Sequence, residues 1–296
     1  MHIIDTSELT KYYGKVRGIE NLNLKIVKGE IFGFLGPNGA GKTTTIRILV
    51  DLIRPTRGSA RIFGLDVQKH SVDIRKRIGN LPGDVSLYEH LTGNDFLNLM
   101  SSLHSNHSEK RKRALARRLD LDLSRRIKTY SKGMKQKVAI IQAMMNDPEL
   151  LILDEPTSGL DPLVQREFYN LLKHEQSRGK TIFFSSHILP EVERVCDRVG
   201  LLRKGILVDV ESIDNLKSKR VRKLELTLKE EVPQERLAIP GVEISRIDGK
   251  RVEILVHGHI GDLMPKLAAL PLEDVILPEA TLEDTFMKFY SGGKAE

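Results

Sequence analysis

The stretch Gly36 to Thr43, GPNGAGKT, limits what this chain can fold into more than any other. It fits the phosphate-loop pattern G-x-x-x-x-G-K-[ST], which needs a strand before it and a helix after it. Both are predicted here. IFGFL (31–35) is a short apolar run of strand length, and TTTIRILVDLI (43–53) has helical spacing and stops before Pro55. In such a loop the glycines let backbone N–H groups wrap around phosphate, the lysine sets a charge between the outer phosphates, and the hydroxyl can ligate Mg²⁺. Gly36, Pro37, Asn38, Gly39, Ala40, Gly41, Lys42, Thr43 and Thr44 are the expected nucleotide-binding residues, with Thr43 also a metal ligand.

Two further apolar runs, LLILDEP (150–156) and KTIFFSSH (180–187), are continuous rather than alternating. Continuous hydrophobicity marks strands covered on both faces, as in a parallel sheet. Helical patterns at 161–177 and 189–197 intervene, so the first two-thirds of the chain reads as α/β. The run LLILDE ends in two acids. Asp154 is expected to hold magnesium through a water, and Glu155 to orient or deprotonate an attacking water.

At 296 residues the chain is expected to form one large domain and a smaller one. The texture changes near residue 215, which sets the expected boundaries at 1–215 and 216–296. RKLELTL alternates, VEISRIDGKRVEILVHG is two alternating runs around Asp248-Gly249, and GDLMPKLAAL and TLEDTFMKFY have helical spacing. This reads as a small α+β domain. A basic run, KSKRVRK (217–223), reads as the linker.

The lone Cys196 excludes an internal disulfide and fits a reducing compartment. No apolar run approaches the ~18 residues of a spanning helix, and the first residues lack the basic and apolar regions of a signal peptide, so a soluble chain is expected. The net charge of +7 is local. Residues 101–140 hold twelve Lys or Arg against three acids, leaving the remainder close to balanced. Such runs are more often solvated faces than binding sites. His104 and His107 lack a companion carboxylate or Cys cluster and read as loop residues.

YSKGMKQK (130–137) admits two readings, a capped helix or an anion-binding helix N-terminus. Its place just ahead of LLILDEPTSGLD separates them. With KYYG, GPNGAGKTT, LPGDVSLYE, YSKGM, LLILDEP, SGLD and SSH in order, roughly residues 3–215 resemble the ATP-binding subunit of an ATP-binding-cassette (ABC) transporter. The variant YSKGMKQK and the closing TLEDTFMKFY are similar to exporter ATPases that work with separately encoded permeases. The resemblance implies a helical subdomain at about 84–145 and places Tyr13 on adenine. It sets Ser131 and Gly133 on the γ-phosphate of ATP held by a second nucleotide-binding subunit. It puts Asp161 in the loop crossing between the two sites and His187 on the γ-phosphate. It further implies ATP and Mg²⁺, a second nucleotide-binding subunit, an integral membrane permease, no specific nucleic acid, and a place on the inner face of the membrane.

Two positions depart from the family's pattern. Lys132 stands where the signature usually has a glycine. Gly83 stands where a glutamine usually contacts Mg²⁺ and water, which leaves Asp84 as the nearest substitute. The resemblance leaves two alternatives: a soluble ABC ATPase acting on nucleic acid or ribosomes, favoured by the basic segment, and a non-hydrolysing ATP-binding regulator, favoured by Gly83. In the C-terminal part, Thr281 and Asp284 are an expected capping pair for a final helix.

Overall fold

The three continuous apolar runs lie side by side as parallel strands in the computed structural model, which describes residues 2–104, 108–218, 222–233, 237, 239, 241–256 and 260–276. The elements are, in chain order, β1 (His2–Tyr13), β2 (Val16–Val27), β3 (Ile31–Leu35), α1 (Lys42–Leu49), β4 (Arg57–Ile62), β5 (Leu65–Asp66), α2 (Ser71–Arg75), β6 (Ile78–Leu81), α3 (Gly93–Ser102), α4 (Glu109–Arg118), α5 (Lys132–Met144), β7 (Leu150–Asp154) and α6 (Pro162–Ser177). They continue with β8 (Thr181–Ser186), α7 (Leu189–Val195), β9 (Arg198–Arg203), β10 (Ile206–Ser212), α8 (Ile213–Ser218), β11 (Arg222–Leu228), β12 (Val242–Asp248), β13 (Arg251–Val256), α9 (Ile260–Leu267) and β14 (Leu272–Ile276).

The chain divides into two compact units, Met1–Ile213 and Asp214–Glu296. In the first, a six-stranded sheet has the order β10-β9-β3-β8-β7-β6, parallel except for β10. Every residue of β3, β7 and β8 is buried, which is why these runs are apolar throughout. Phe183 stacks on Phe32 at 6.1 Å and packs against Phe34 at 5.2 Å. Burying each such ring contributes about 1.5–3 kcal/mol. Strands β3, β7 and β8 run in one direction, so their C-terminal ends deliver Leu35, Asp154 and Ser186 to a single edge of the sheet.

A separate antiparallel sheet, β2-β1-β4-β5, precedes and flanks this core. In β2 the buried Leu22, Leu24 and Ile26 alternate with the exposed Asn23, Lys25 and Val27. Between β6 and β7, helices α3, α4 and α5 each begin at a capping hydroxyl. Thr92 accepts from Asp95 N–H, Ser108 from Arg111 N–H and Ser131 from Met134 N–H.

Helix α1 is shorter than its sequence pattern. It ends at Leu49 because Asp51 turns into the left-handed region at φ 57°, where Leu52 and Ile53 N–H return to the Arg47 carbonyl. Cys196 lies under the central sheet, 6% exposed, and burial pushes its thiol pKa well up.

The second unit has its own antiparallel sheet, β12-β13-β11-β14, whose inner face carries Leu224, Leu226, Val252 and Ile254 against Leu263 and Leu267 of α9. Gly249, at φ 57°, makes the turn between β12 and β13. The basic run is not a free linker along its length: Lys217 and Ser218 close α8, and Arg222 and Lys223 open β11. His107, Thr281 and Asp284 lie outside the described residues, as does TLEDTFMKFY. Among the described residues no helix is long and apolar enough to cross a membrane.

Candidate active site

The phosphate loop leaves β3 at Gly36, whose N–H bonds the Ser186 carbonyl at 3.3 Å, and enters α1 through Gly41. Gly41 must be glycine on two counts. Its φ is 109°, and a Cβ there would stand 2.5 Å from the Gly18 carbonyl oxygen. Pro37, Asn38 and Gly39 at the tip are exposed, while Gly36 and Ala40 anchor the loop in the interior. The Lys42 side chain is 5% exposed and turns back under the loop. Its Nζ donates to the carbonyls of Gly36 at 2.6 Å and Pro37 at 3.2 Å.

From the neighbouring strand ends, β7 and β8 supply the opposing charge. Thr43 Oγ1 donates to Asp154 Oδ2 at 2.8 Å, and Ser185 Oγ donates to Asp154 Oδ1 at 2.6 Å. The next carboxylate, Glu155, stands between two groups: Oε1 is 3.2 Å from Lys42 Nζ and Oε2 is 3.0 Å from His187 Nδ1. Glu155 itself occupies the left-handed region at φ 46°, a conformation that costs a non-glycine residue about 1–2 kcal/mol. Its N–H bonds Ser185 Oγ at 3.1 Å, and its carbonyl receives Ser158 N–H. Lys42, Thr43, Asp154, Glu155 and His187 thus converge at one sheet edge.

The donor set at Thr43 and Asp154 fits a small hard cation. A hydroxyl and a carboxylate oxygen lie side by side, and magnesium takes one or two such protein ligands and completes its shell from water and phosphate. Among the described residues no group of three or more His, Cys, Asp or Glu gathers into an all-protein metal cage, so an ion here would depend on the nucleotide.

Other candidates fall around this centre. The Tyr13 ring, 45% exposed, lies beside the loop: a Cβ built on Gly18 would be 3.0 Å from Tyr13 Cε2 and 3.1 Å from Thr44 Cγ2. Ser131 and Gly133 are at the start of α5, away from the Lys42 cluster in sequence and element but packed on the loop that follows Glu155. A Cβ on Gly133 would meet the Gly159 carbonyl oxygen at 2.7 Å, so only glycine permits this approach. Asp161 caps α6, accepting from Leu163 and Val164 N–H at 3.1 and 3.0 Å. Asp84 is exposed, with no hydrogen-bond or ion-pair partner among the described residues. Its neighbour Gly83 is the one that reaches the site, since a Cβ there would stand 3.1 Å from Asp154 Oδ2.

Three supporting residues were missed by the sequence reading. Ser185 buttresses both acids; a strand ending in two serines was the available signal. Gln136, buried on α5, donates to the Pro156 carbonyl at 2.9 Å. Glu191 binds Thr157 and Ser186, and nothing in its helical setting marked it.

Comparison with known proteins gives a consistent picture. A family model described as "ABC transporter" matches residues 19–158. The bacitracin transport ATP-binding protein BcrA of Bacillus licheniformis is 37% identical, with 98% of each chain covered. Its namesake from Enterococcus faecalis is 38% identical over 75% of this chain and 73% of that protein. Among solved structures, an ATP-binding subunit of an ABC transporter aligns at TM-score 0.68 and 32% identity, covering 73% of this chain and 92% of that one. A dimeric bacterial ABC transporter cassette aligns at TM-score 0.66 and 26% identity, covering 71% and 98%.

Proposed function

The chain belongs to the ATP-binding subunits of ABC transporters and is an ATPase that powers transport; on that premise we propose that it drives export through a separately encoded membrane permease, as one half of a nucleotide-binding pair. The observation that carries this reading is the convergence of Lys42, Glu155 and His187 beside the Thr43–Asp154 pair. Backbone N–H groups of the loop tip and of the first turn of α1 cradle the phosphates, Lys42 neutralises the outer ones, and Tyr13 stacks on the base. Glu155 accepts a hydrogen bond from the attacking water and takes up its proton, and His187 orients that water against the γ-phosphate. Thr43 and Asp154 would hold Mg²⁺, with Asp84 a further ligand directly or through water. The ion would offset phosphate charge.

Ser131 and Gly133 present the α5 N-terminus to nucleotide bound by a second subunit, and Asp161 lies in the loop between the two sites. The order of events is that two ATP molecules close the pair, closure moves the permease, and hydrolysis reopens it. The permease contact is a groove of about 790 Å³ lined by Leu52, Val72, Arg75, Tyr88 and Leu103. These apolar side chains are exposed, and Arg75 and Lys76 give the groove a basic rim suited to an acidic-flanked cytoplasmic segment of the permease. The chain would then work on the cytoplasmic face of the membrane. Because similarity to the bacitracin protein extends over 98% of the chain, a peptide antibiotic of that kind is the first cargo to test.

The nucleic-acid reading loses support from the basic segment itself. Lys112 is buried against Asn94, Asn98 and Glu109. Arg111 pairs with Glu175, Arg118 with Glu167 and Lys135 with Glu89. Much of the local charge is therefore committed to internal partners. The deciding experiment is ATP hydrolysis by the full chain with and without its co-purifying membrane protein. No membrane protein in the complex, and hydrolysis stimulated by RNA instead, would overturn the proposal.

A further inference from the structure

Glu191, in the first turn of α7, is a buried carboxylate 7% exposed. Among the described residues no lysine or arginine pairs with it. Two hydroxyls take that place. Thr157 Oγ1 donates to Oε1 at 2.7 Å and Ser186 Oγ donates to Oε2 at 2.6 Å, while burial and the nearby Glu191 carboxyl push the Tyr169 hydroxyl of α6 up. Both Thr157 and Ser186 are interior, at 5% and 2% exposure. A carboxylate buried without a counter-ion is costly even when hydrogen-bonded, and an apolar side chain of similar size would fill the same space without that cost. Packing alone does not account for it.

What the two oxygens hold is specific. Oε1 holds Thr157, two residues beyond Glu155, and Oε2 holds Ser186, the residue before His187. Ser186 is fixed on two further sides: its carbonyl receives Gly36 N–H of the phosphate loop and its Oγ receives Ile188 N–H at 2.9 Å. One planar group therefore bridges the segment that carries the carboxylate and the segment that carries the imidazole. Glu155 has a left-handed backbone, which the surrounding structure has to enforce, and Thr157 is one of the points where it does so.

We propose that Glu191 is a positioning residue that sets the spacing of Glu155 and His187 through Thr157 and Ser186, touching neither nucleotide nor metal. The proposal rests on the assignment of Glu155 and His187 to turnover made above. Positioning errors of about 1 Å cost about a hundredfold in rate. Glu191→Gln keeps the shape but turns one acceptor into a donor facing a hydroxyl.

The test is steady-state ATP hydrolysis by the full chain with its permease, alongside equilibrium ATP binding and the thermal midpoint. Glu191→Gln should lower kcat by about ten- to hundredfold while KM and ATP affinity stay within about twofold. Thr157→Val should reproduce part of the loss and add little in the Glu191→Gln background, because both act through one contact. If Glu191→Gln does not fold, Thr157→Val alone carries the same kcat-against-KM reading. Wild-type kcat in a folded Glu191→Gln protein, or a kcat loss matched by loss of ATP affinity, overturns the proposal. Glu155→Gln and His187→Ala run in parallel. If those two leave turnover intact the site assignment has failed, whereas if they abolish it and Glu191→Gln does not, only the positioning role has.

Discussion

Lys132 rests its aliphatic stem on Gly159: its Cγ, Cδ and Cε lie 3.4–3.5 Å from the point a Cβ of residue 159 would occupy. The lysine is exposed and its ammonium has no partner among the described residues, so the stem is held while the charge is free to face a bound phosphate. Lys132→Ala should weaken ATP-dependent pairing of the subunits by about fivefold, the equivalent of about 1 kcal/mol for an exposed charge contact. ATP affinity of the unpaired chain should not change. Sedimentation of the pair at graded protein concentration reads the first and equilibrium titration the second; equal pairing by both proteins would remove Lys132 from the interface.

Glu155 and Lys42 should separate binding from turnover. Lys42→Ala removes the charge held beneath the loop and should abolish useful ATP binding. Glu155→Gln should bind ATP normally, lose turnover, and run as a stable pair in gel filtration with Mg-ATP. A Glu155→Gln protein that stays a single chain at saturating ATP would refute the sandwich arrangement.

Gly83 packs directly on the Asp154 carboxylate, where a Cβ would stand 3.1 Å from Oδ2, and the residue beside it, Asp84, is exposed and carries the carboxylate expected to serve the ion. Asp84→Ala should lower turnover by more than about tenfold, or about 1.4 kcal/mol in the barrier, with ATP affinity little altered. Hydrolysis at saturating ATP with the permease present decides the matter. An unchanged rate means that water alone completes the magnesium shell.

The stability of the first unit should carry a pH signature at Glu149. Arg77 bonds both its oxygens, at 2.7 and 3.0 Å, and holds the Glu149 carboxyl below its usual value. A carboxyl lowered by folding adds stability above its unfolded pKa and loses it as pH falls through the folded one. Glu149→Gln should therefore lower Tm near neutral pH and converge with wild type below about pH 4. The pair is nearly half exposed, so the effect should be under about 1 kcal/mol. A Tm difference that persists unchanged into acid would rule out the ion pair as its source.

Charge on the helices between β6 and β7 should give only weak, salt-sensitive binding to double-stranded DNA or RNA, as non-specific phosphate contacts do. Fluorescence titration at two salt concentrations measures this. Salt-resistant binding that stimulates ATP hydrolysis would restore the nucleic-acid reading.

The sequence announced the parallel core clearly because β3, β7 and β8 are buried on both faces and therefore read as unbroken apolar runs. It was quieter about the antiparallel sheet. NLNLKIV in β2 alternates over one short segment, and β1 carries repeated register shifts against β2 that break its period of two. The phosphate loop and the two acids were legible because their chemistry demands fixed residue types at fixed spacing. Ser185, Gln136 and Glu191 were not legible. Their roles come from partners far away in sequence, such as Thr157 for Glu191 and Pro156 for Gln136, and no local pattern encodes those pairings. The early stop of α1 was hidden too, since Asp51 looks like an ordinary helical position until its φ is known.

Cys196 gives the molecule a practical property. It is the only cysteine in the chain, it is buried beneath β3, and its thiol is held in the unreactive protonated form by the surrounding apolar groups. Against thiol-directed reagents the folded chain therefore behaves as if it had no cysteine. A cysteine introduced at an exposed surface position would be the sole site of labelling, and fluorophores, spin labels or cross-linkers could follow the opening and closing of the pair without first removing any native residue.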